Sequence, residues 1–241
     1  MRIVACINGD RRPGAHPALP VTREQIVRDA RAAVDAGADE VHLHPRDGAG
    51  AESLEPQVVT PLLELLRAEI PDVAVSLTTA LSAEPDPVRR YDLVQRWSAL
   101  PDSASVNLHE PGSVEVARLL VDRRVNVEAG VWTADAARIL LASGLAGEFA
   151  RVLVEPMQAT TEDALANATA VDGVLDRGEL ELPRLLHGRD NTAWPILETA
   201  LAAGRDVRIG LEDTLRDPEN HEAESNAALV SLATARMSAT A

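Results

Sequence analysis

Short apolar segments and longer amphipathic segments alternate from one end of the chain to the other. The short segments are rich in β-branched residues and predict eight strands, at residues 2–7, 40–43, 73–77, 104–108, 125–127, 151–154, 182–186 and 206–209. The intervening patterns predict eight helices, at residues 22–36, 57–69, 86–98, 113–122, 133–142, 161–177, 192–203 and 221–236. Such alternation favours parallel strand pairing through right-handed crossovers, because each helix returns the chain to the same end of the sheet.

Eight strand–helix pairs in 241 residues predict an α/β fold, a (β/α)8 TIM barrel that forms a single domain over residues 1–241. A doubly wound open sheet is the alternative, but no glycine-rich phosphate-binding turn follows the first strand. In (β/α)8 barrels the chemistry lies at the carboxyl ends of the strands. Residues at those ends are therefore the candidates for function.

Composition excludes several classes of function. All 23 basic residues are arginine, so aldolases, pyridoxal-phosphate enzymes and nucleotide sites that depend on lysine are excluded. The net charge of −15 argues against nucleic-acid binding, which requires a basic face. No apolar run approaches the ~20 residues of a membrane helix, and the first apolar run is too short for a secretory signal. With Cys6 as the single cysteine, we expect a cytoplasmic protein without internal disulfides.

Two histidines lie at the end of the second predicted strand, in the segment EVHLHPRD. Side chains two residues apart in a strand point to the same side, so His42 and His44 face the barrel interior if Leu43 faces the helices. Two unpaired buried imidazoles are costly, whereas two at this spacing suit one divalent metal ion, above all zinc. The alternative is a pair of hydrogen-bonded core histidines.

The eighth predicted strand ends in VRIGLED, which brings two acids to the same end of the barrel. Barrel closure places strand eight beside strand one and near strand two, so Glu212 is positioned to complete a two-histidine, one-carboxylate metal site. Otherwise Glu212 and Asp213 are solvated loop charges. Because extended backbone sends adjacent side chains to opposite sides, we expect these two acids to have separate roles. The pattern leaves the direction of Arg208 open.

Other polar residues lie at strand ends where a purely structural barrel would not need them. They are Asn8, Thr78, Thr79, Ser105, Asn107, Glu128, Glu155 and His187. Turn and cap roles would explain most of them. Arg46 and Asp47, which follow the two histidines, form either an anion clamp or a loop ion pair.

Four segments in the same order, PALPVT, HLHPRD, VRIGLED and AESNAALV, resemble the β-keto acid cleavage enzyme family. The resemblance extends from the first strand to the last helix. It implies a barrel with one Zn²⁺ per chain that exchanges acyl groups between a β-keto acid and acetyl-CoA. The products of that Claisen-type exchange are acetoacetate and a new acyl-CoA. The implied partners are these small molecules, and we expect a homo-oligomer.

The resemblance also implies roles for individual residues. His42, His44 and Glu212 would bind zinc, and Arg208 with Asp213 would form the pair that deprotonates the keto acid. Thr78 and Ser105 match positions that contact the substrate or the CoA thioester, and Arg46 matches an arginine after the second zinc histidine. To these substrate-binding candidates we add Asn107 and Glu128.

The chain departs from the family pattern at two strand ends. The family turn Thr-Gly-Gly after strand three is Thr79-Ala80-Leu81 here, and the second of two acids after strand five is replaced by Gly130. These changes leave the substrate and the use of CoA open. The alternatives are a metal-dependent barrel hydrolase, an aldolase-like lyase, and a non-catalytic metabolite-binding barrel. The hydrolase is disfavoured because such enzymes carry the two histidines on the first strand.

Overall fold

The computed structural model describes residues 1–240 as a ring of eight parallel strands surrounded by helices. The strands are β1 (Ile3–Cys6), β2 (Glu40–Leu43), β3 (Ala74–Thr78), β4 (Ser103–Asn107), β5 (Asn126–Val131), β6 (Arg151–Val154), β7 (Arg184–Leu186) and β8 (Val207–Ile209). The long helices are α1 (Arg23–Asp35), α2 (Pro56–Glu69), α3 (Pro87–Gln95), α4 (Ser113–Asp122), α5 (Ala134–Ala142), α6 (Thr161–Arg177), α7 (Ala193–Ala202) and α8 (Asn226–Thr240). The predicted TIM barrel is confirmed.

Seven strand pairs of the ring are hydrogen-bonded, and the eighth pair, β7 and β8, is joined weakly. Hydrogen-bonded neighbours run in the order β7-β6-β5-β4-β3-β2-β1-β8, and every pair is parallel. Strands β7 and β8 meet only at an isolated bridge between Leu185 and Asp206. There the Leu186 amide donates to the Asp206 carbonyl at 3.3 Å. The barrel is therefore nearly closed, and β8 lies two strands from β2 as the prediction requires.

The predicted boundaries of β2, β6, α4 and α6 agree with the structure, and the largest differences are in β5 and α8. Strand five continues to Val131 instead of ending at 127, because Glu128 points into the barrel and pairs there with Arg151. The last helix begins at Asn226 instead of 221. Its predicted first turn is a loop in which the Asp217 carboxylate accepts the His221 amide at 2.8 Å.

Apolar side chains separate into two layers. The large core lies between the outer face of the strands and the helices, and it includes Val41 and Leu43 of β2. A small second cluster fills the barrel interior with Val4, Cys6, Leu153 and Leu185. One continuous outer core supports the predicted single domain. No helix within residues 1–240 is long and apolar enough to cross a bilayer.

The rest of the barrel interior is ionic. The Arg151 guanidinium pairs with Glu128 and, at 2.8 Å, with Glu40. The Ser76 hydroxyl donates to Glu128 at 2.5 Å, and the Ser103 hydroxyl donates to Glu40 at 3.2 Å. Two buried carboxylates thus share one cation. Burial and the Glu128 charge together raise the pKa of Glu40 to about 7, although Arg151 opposes them.

This shared cation predicts a pH-dependent stability. Folded Glu40 keeps its proton up to about pH 7, whereas the unfolded chain loses it near the ordinary pKa of ~4.3. The free energy of unfolding of the wild type should therefore fall, relative to that of Glu40→Gln, as the pH rises through that window. Denaturant unfolding of both proteins from pH 4 to pH 8 measures the difference. The exposed, unpaired Glu64 of α2 provides the control, since Glu64→Gln should track the wild type at every pH.

Candidate metal centre and active site

A cavity of about 230 Å³ opens at the carboxyl ends of the strands. Eight of the ten predicted site residues line it: His42, His44, Thr78, Ser105, Asn107, Arg208, Glu212 and Asp213. Most of these side chains are buried, so their charges and hydrogen bonds act with little screening by water. The structure therefore brings together most of the residues that the sequence selected.

His42, His44 and Glu212 converge on one point of the cavity wall. His42 Nε2 lies 3.9 Å from Glu212 Oε2, and His44 Nε2 lies 3.8 Å from Glu212 Oε1. One ligand atom from each residue can be chosen so that all three lie within 4.8 Å of one another. Two imidazole nitrogens and one carboxylate oxygen form a donor set that zinc accepts in catalytic sites, where a further position stays open.

The other ring nitrogen of each histidine has its own partner. His42 Nδ1 lies 3.1 Å from the Ser76 hydroxyl, and His44 Nδ1 contacts the Glu52 carboxylate. Such contacts fix the ring orientation of metal-ligating histidines and leave Nε2 directed at the ion. Neither partner was predicted. Ser76 could have been found as the neighbour of His42 in a parallel register, whereas Glu52 lies in the β2–α2 loop.

The electrostatics of the three residues fit a cation. Burial lowers the pKa of His42 to about 4, so its ring is neutral and free to ligate. Burial also lowers the pKa of His44, but the carboxylates of Glu212 and Glu52 outweigh it and raise that pKa. Glu212 Oε2 is buried without a hydrogen-bond partner within residues 1–240. A metal ion between this oxygen and the two imidazoles would supply the partner that the oxygen lacks.

Arg208 holds the two acids after β8 together. Its Nη2 lies 2.6 Å from Glu212 Oε1 and 2.7 Å from Asp213 Oδ1. The expected opposite orientation of these acids is wrong because they lie on a turn, where the Asp213 amide donates to the Gly210 carbonyl. A Cβ at Gly210 would stand 2.0 Å from the Cys6 carbonyl oxygen, so only glycine permits this turn to approach β1.

Burial and the arginine act in opposite directions on the two acids. Burial raises the pKa of Glu212, but Arg208 and the two histidines outweigh it and hold that pKa well below its usual range. Burial also raises the pKa of Asp213, and there Arg208 and His187 do not fully offset it. The two neighbours therefore differ in basicity: Glu212 stays ionised, and Asp213 takes up a proton more readily.

Arg46 and Glu128, two predicted substrate-binding residues, do not line the cavity. The Arg46 guanidinium donates to the carbonyl oxygens of Gly9, Gly50 and Arg11, so it ties the first two loops together. Glu128 is engaged in the ionic layer inside the barrel. Contact of either residue with a substrate would need these bonds to break.

Two strand-end residues to which the sequence assigned no role also line the cavity, namely Glu155 after β6 and His187 after β7. His187 Nε2 lies 3.4 Å from Glu155 Oε2, and His187 Nδ1 lies 3.6 Å from Asp213 Oδ1. Neither ring nitrogen makes a hydrogen bond within the described part of the chain. The histidine thus connects the acid after β8 with the acid after β6.

Comparison with known proteins gives one family. The sequence profile of the beta-keto acid cleavage enzymes matches residues 1–150 and 154–240. A 3-keto-5-aminohexanoate cleavage enzyme of Fusobacterium nucleatum is 36% identical over 78 residues, which are 32% of this chain and 29% of that protein. A 3-oxoadipate:acetyl-CoA acetyltransferase of Cupriavidus necator is 26% identical over an alignment of 245 residues, covering 90% of this chain and 80% of that protein.

A solved structure shares the fold. It is the ternary complex of ObcA with a C4-CoA adduct and oxalate, at a TM-score of 0.75 and 16% sequence identity. The likeness covers 92% of this chain but only 64% of that chain. The chain thus spans 64% of the ObcA chain, and its match to the Fusobacterium relative spans 29% of that protein.

The geometry predicts a metal site that depends on its outer partners. We expect the purified protein to hold about one divalent metal ion per chain, and His42→Ala to lose it. Glu52→Gln should keep the three ligands but lower the metal affinity about 10- to 100-fold, because His44 loses the carboxylate that orients it. Competition with a chromophoric chelator measures the affinity.

Glu55 offers a matched control for Glu52, because it lies three residues further along and pairs with Arg89 at the surface. Glu55→Gln should bind metal like the wild type. Full metal occupancy in His42→Ala would contradict the site, and an unchanged affinity in Glu52→Gln would contradict only the role of Glu52.

Proposed function

The chain belongs to the beta-keto acid cleavage enzyme family, and we propose that it catalyses a zinc-dependent Claisen-type exchange. A β-keto acid and acetyl-CoA would give acetoacetate and a new acyl-CoA. Acetyl-CoA as co-substrate is supported by the name of the Cupriavidus relative, an acetyl-CoA acetyltransferase. To give these products, the substrate must be an acid that carries its keto group β to the carboxylate.

One observation carries the proposal: a metal-ligand triad and an arginine–aspartate pair face the same small cavity. Arg208 bonds both Glu212 of the triad and Asp213. A β-keto acid presents two oxygens and an acidic carbon within a few ångströms of one another. A site for this chemistry therefore needs a cation for the oxygens and a base for the carbon in direct proximity.

Asp213 is the proposed base. It is 2% exposed, and its raised pKa makes it a better proton acceptor than an ordinary aspartate. It would take a proton from C2 of the keto acid. Arg208 donates to both oxygens of Asp213 through Nε, at 3.1 and 3.3 Å, and so fixes the orientation of that carboxylate.

His42, His44 and Glu212 would hold the zinc ion. Bound there, zinc would act as a Lewis acid that lowers the pKa of the carbon acid and stabilises the negative charge on the keto oxygen. Ser76 and Glu52 would keep the two imidazoles directed at the ion. Arg208 keeps Glu212 ionised and available as a ligand.

The C2 carbanion would attack the thioester carbonyl of acetyl-CoA and expel the CoA thiolate. The thiolate would then add to C3, and the C2–C3 bond would break to release the new acyl-CoA. Asp213 would return its proton to C2, which completes acetoacetate. Thr78 and Ser105 are adjacent in register and lie on the cavity wall, where they would contact these groups. Asn107 lies on the same wall, two residues beyond Ser105 on β4.

Replacement of Asp213 by asparagine separates the base from the ligand. We expect Asp213→Asn to retain its metal, because His42, His44 and Glu212 are unchanged. The exchange of C2 protons with deuterated water should fall about 10²- to 10⁴-fold, the usual contribution of one general base. Nuclear magnetic resonance of a β-keto acid, corrected for uncatalysed exchange, measures the rate without CoA.

Asp217 in the same loop is the control. Its carboxylate accepts the His221 amide outside the cavity, so Asp217→Asn should exchange protons at the wild-type rate. Wild-type exchange in Asp213→Asn with metal retained would refute the assignment of the base. Loss of metal would mean that Asp213 is a ligand. Acetoacetate release with acetyl-CoA then tests the complete reaction.

A further inference from the structure

The wall of the cavity that faces His42 and His44 carries a second polar cluster. In an eight-stranded ring β6 lies four strands from β2, on the opposite side of the barrel. Glu155 follows β6, and its side chain lies in the cavity beside Trp132 and His187. None of these three residues has a part in the proposed exchange. The cluster therefore needs its own explanation.

The Glu155 carboxylate is held in one orientation. Its Oε2 atom accepts a hydrogen bond from Trp132 Nε1 at 3.1 Å and lies 3.4 Å from His187 Nε2. Burial raises the pKa of Glu155, but the nearby His187 outweighs it and leaves that pKa below the usual value. The group is thus a buried, ionised carboxylate with one oxygen occupied by its neighbours.

The second oxygen of Glu155, Oε1, lies beside a second acceptor, Asn107 Oδ1. A Cβ built on Gly130 would meet Asn107 Oδ1 at 2.4 Å and Glu155 Oε1 at 3.3 Å, so both oxygens lie over the bare backbone of Gly130. Asn107 donates its Nδ2 to Glu110 Oε1 at 3.0 Å, which identifies Oδ1 as the free acceptor. Within residues 1–240 neither Glu155 Oε1 nor Asn107 Oδ1 receives a hydrogen bond.

We propose that Glu155 and Asn107 form a specificity subsite that binds a hydrogen-bond donor on the side chain of the keto acid. The donor is a hydroxyl or an ammonium group. This inference rests on the proposed function for the identity of the ligand as a β-keto acid. The carboxylate of the substrate lies at the metal triad, and its other end reaches across the barrel to β6.

The same two acceptors discriminate against other side chains. An alkyl group over Gly130 would leave two buried acceptors without a donor, and a site built to hydrogen-bond a substrate rejects the analogue that lacks the group. A terminal carboxylate would meet the ionised Glu155 directly, and like charges at this depth repel strongly. The subsite thus favours donors, disfavours alkyl groups and excludes a second carboxylate.

Four six-carbon acids of similar length test the subsite: 3-oxohexanoate, 5-hydroxy-3-oxohexanoate, 5-amino-3-oxohexanoate and 3-oxoadipate. Calorimetric binding to the metal-loaded protein gives the dissociation constants independently of turnover. The hydroxy or the amino acid, or both, should bind at least about 10-fold more tightly than 3-oxohexanoate. We expect 3-oxoadipate to bind weakest. A preference for both donor acids indicates hydrogen bonding, and a preference for the amino acid alone indicates charge pairing.

Two variants identify the residues responsible. Glu155→Gln keeps the shape and an acceptor for Trp132, and it should bring the affinity for 3-oxoadipate up towards that of 3-oxohexanoate. Asn107→Ala should reduce the preference for the donor acids. Glu148→Gln is the control, because Glu148 is exposed near the opposite end of β6 and should alter none of the affinities.

The inference is overturned if wild-type protein binds 3-oxohexanoate or 3-oxoadipate as tightly as the donor acids. It is also overturned if Glu155→Gln shows the wild-type order of affinities. Failure of the proposed function looks different, since no acid would then exchange its C2 protons or release acetoacetate while the binding preference persists. Turnover without any preference would refute the subsite alone.

Discussion

The alternation of side chains along each strand determines which residues point into the nearly closed barrel. Once Leu43 of β2 packs outward against the helices, Glu40, His42 and His44 must all point inward. Successive inward positions then form layers along the barrel axis. Glu40 meets Arg151 in the lower layer, and His42 meets Ser76 in the next. A one-residue slip of β2 would remove both the ionic layer and the proposed metal ligands.

The chain contains arginine but no lysine, and two buried arginines organise its acids. Arg151 carries two carboxylates inside the barrel, and Arg208 carries two at its mouth. Burial lowers the pKa of Arg208, but Asp213 and its other acidic neighbours raise it well above the usual value, so the charge is permanent. The planar guanidinium bonds two partners at once, which an ammonium group does less specifically. Without Arg208, the adjacent acids would repel each other at the point where the proposed function needs one to bind the metal and the other to accept a proton.

Local sequence predicted the barrel and the convergence of the histidines with Glu212, because both follow from alternation and strand order. It could not predict partners that depend on loop path, such as Glu52, which returns to His44 from the β2–α2 loop. The strand-five boundary was missed for a related reason. Glu128 was interpreted as a strand-end residue, although its charge is neutralised by Arg151 from β6. Interactions between residues of different strands cannot be predicted from the sequence of one segment alone.

The proposed subsite over Gly130 would let the barrel change its substrate without changing its chemistry. Strand ends converge around one opening, so a position left bare on β5 is accessible to a side chain from β6. Gly130, which replaces an acid in the family pattern, has no side chain, and the Glu155 carboxylate lies 3.3 Å from where a Cβ would stand. An acid therefore still faces this wall, but Trp132 and His187 now set its orientation. Because His42 and His44 lie on the other side of the ring, such an exchange would alter what the cavity recognises and leave the proposed metal ligands and the proposed base in place.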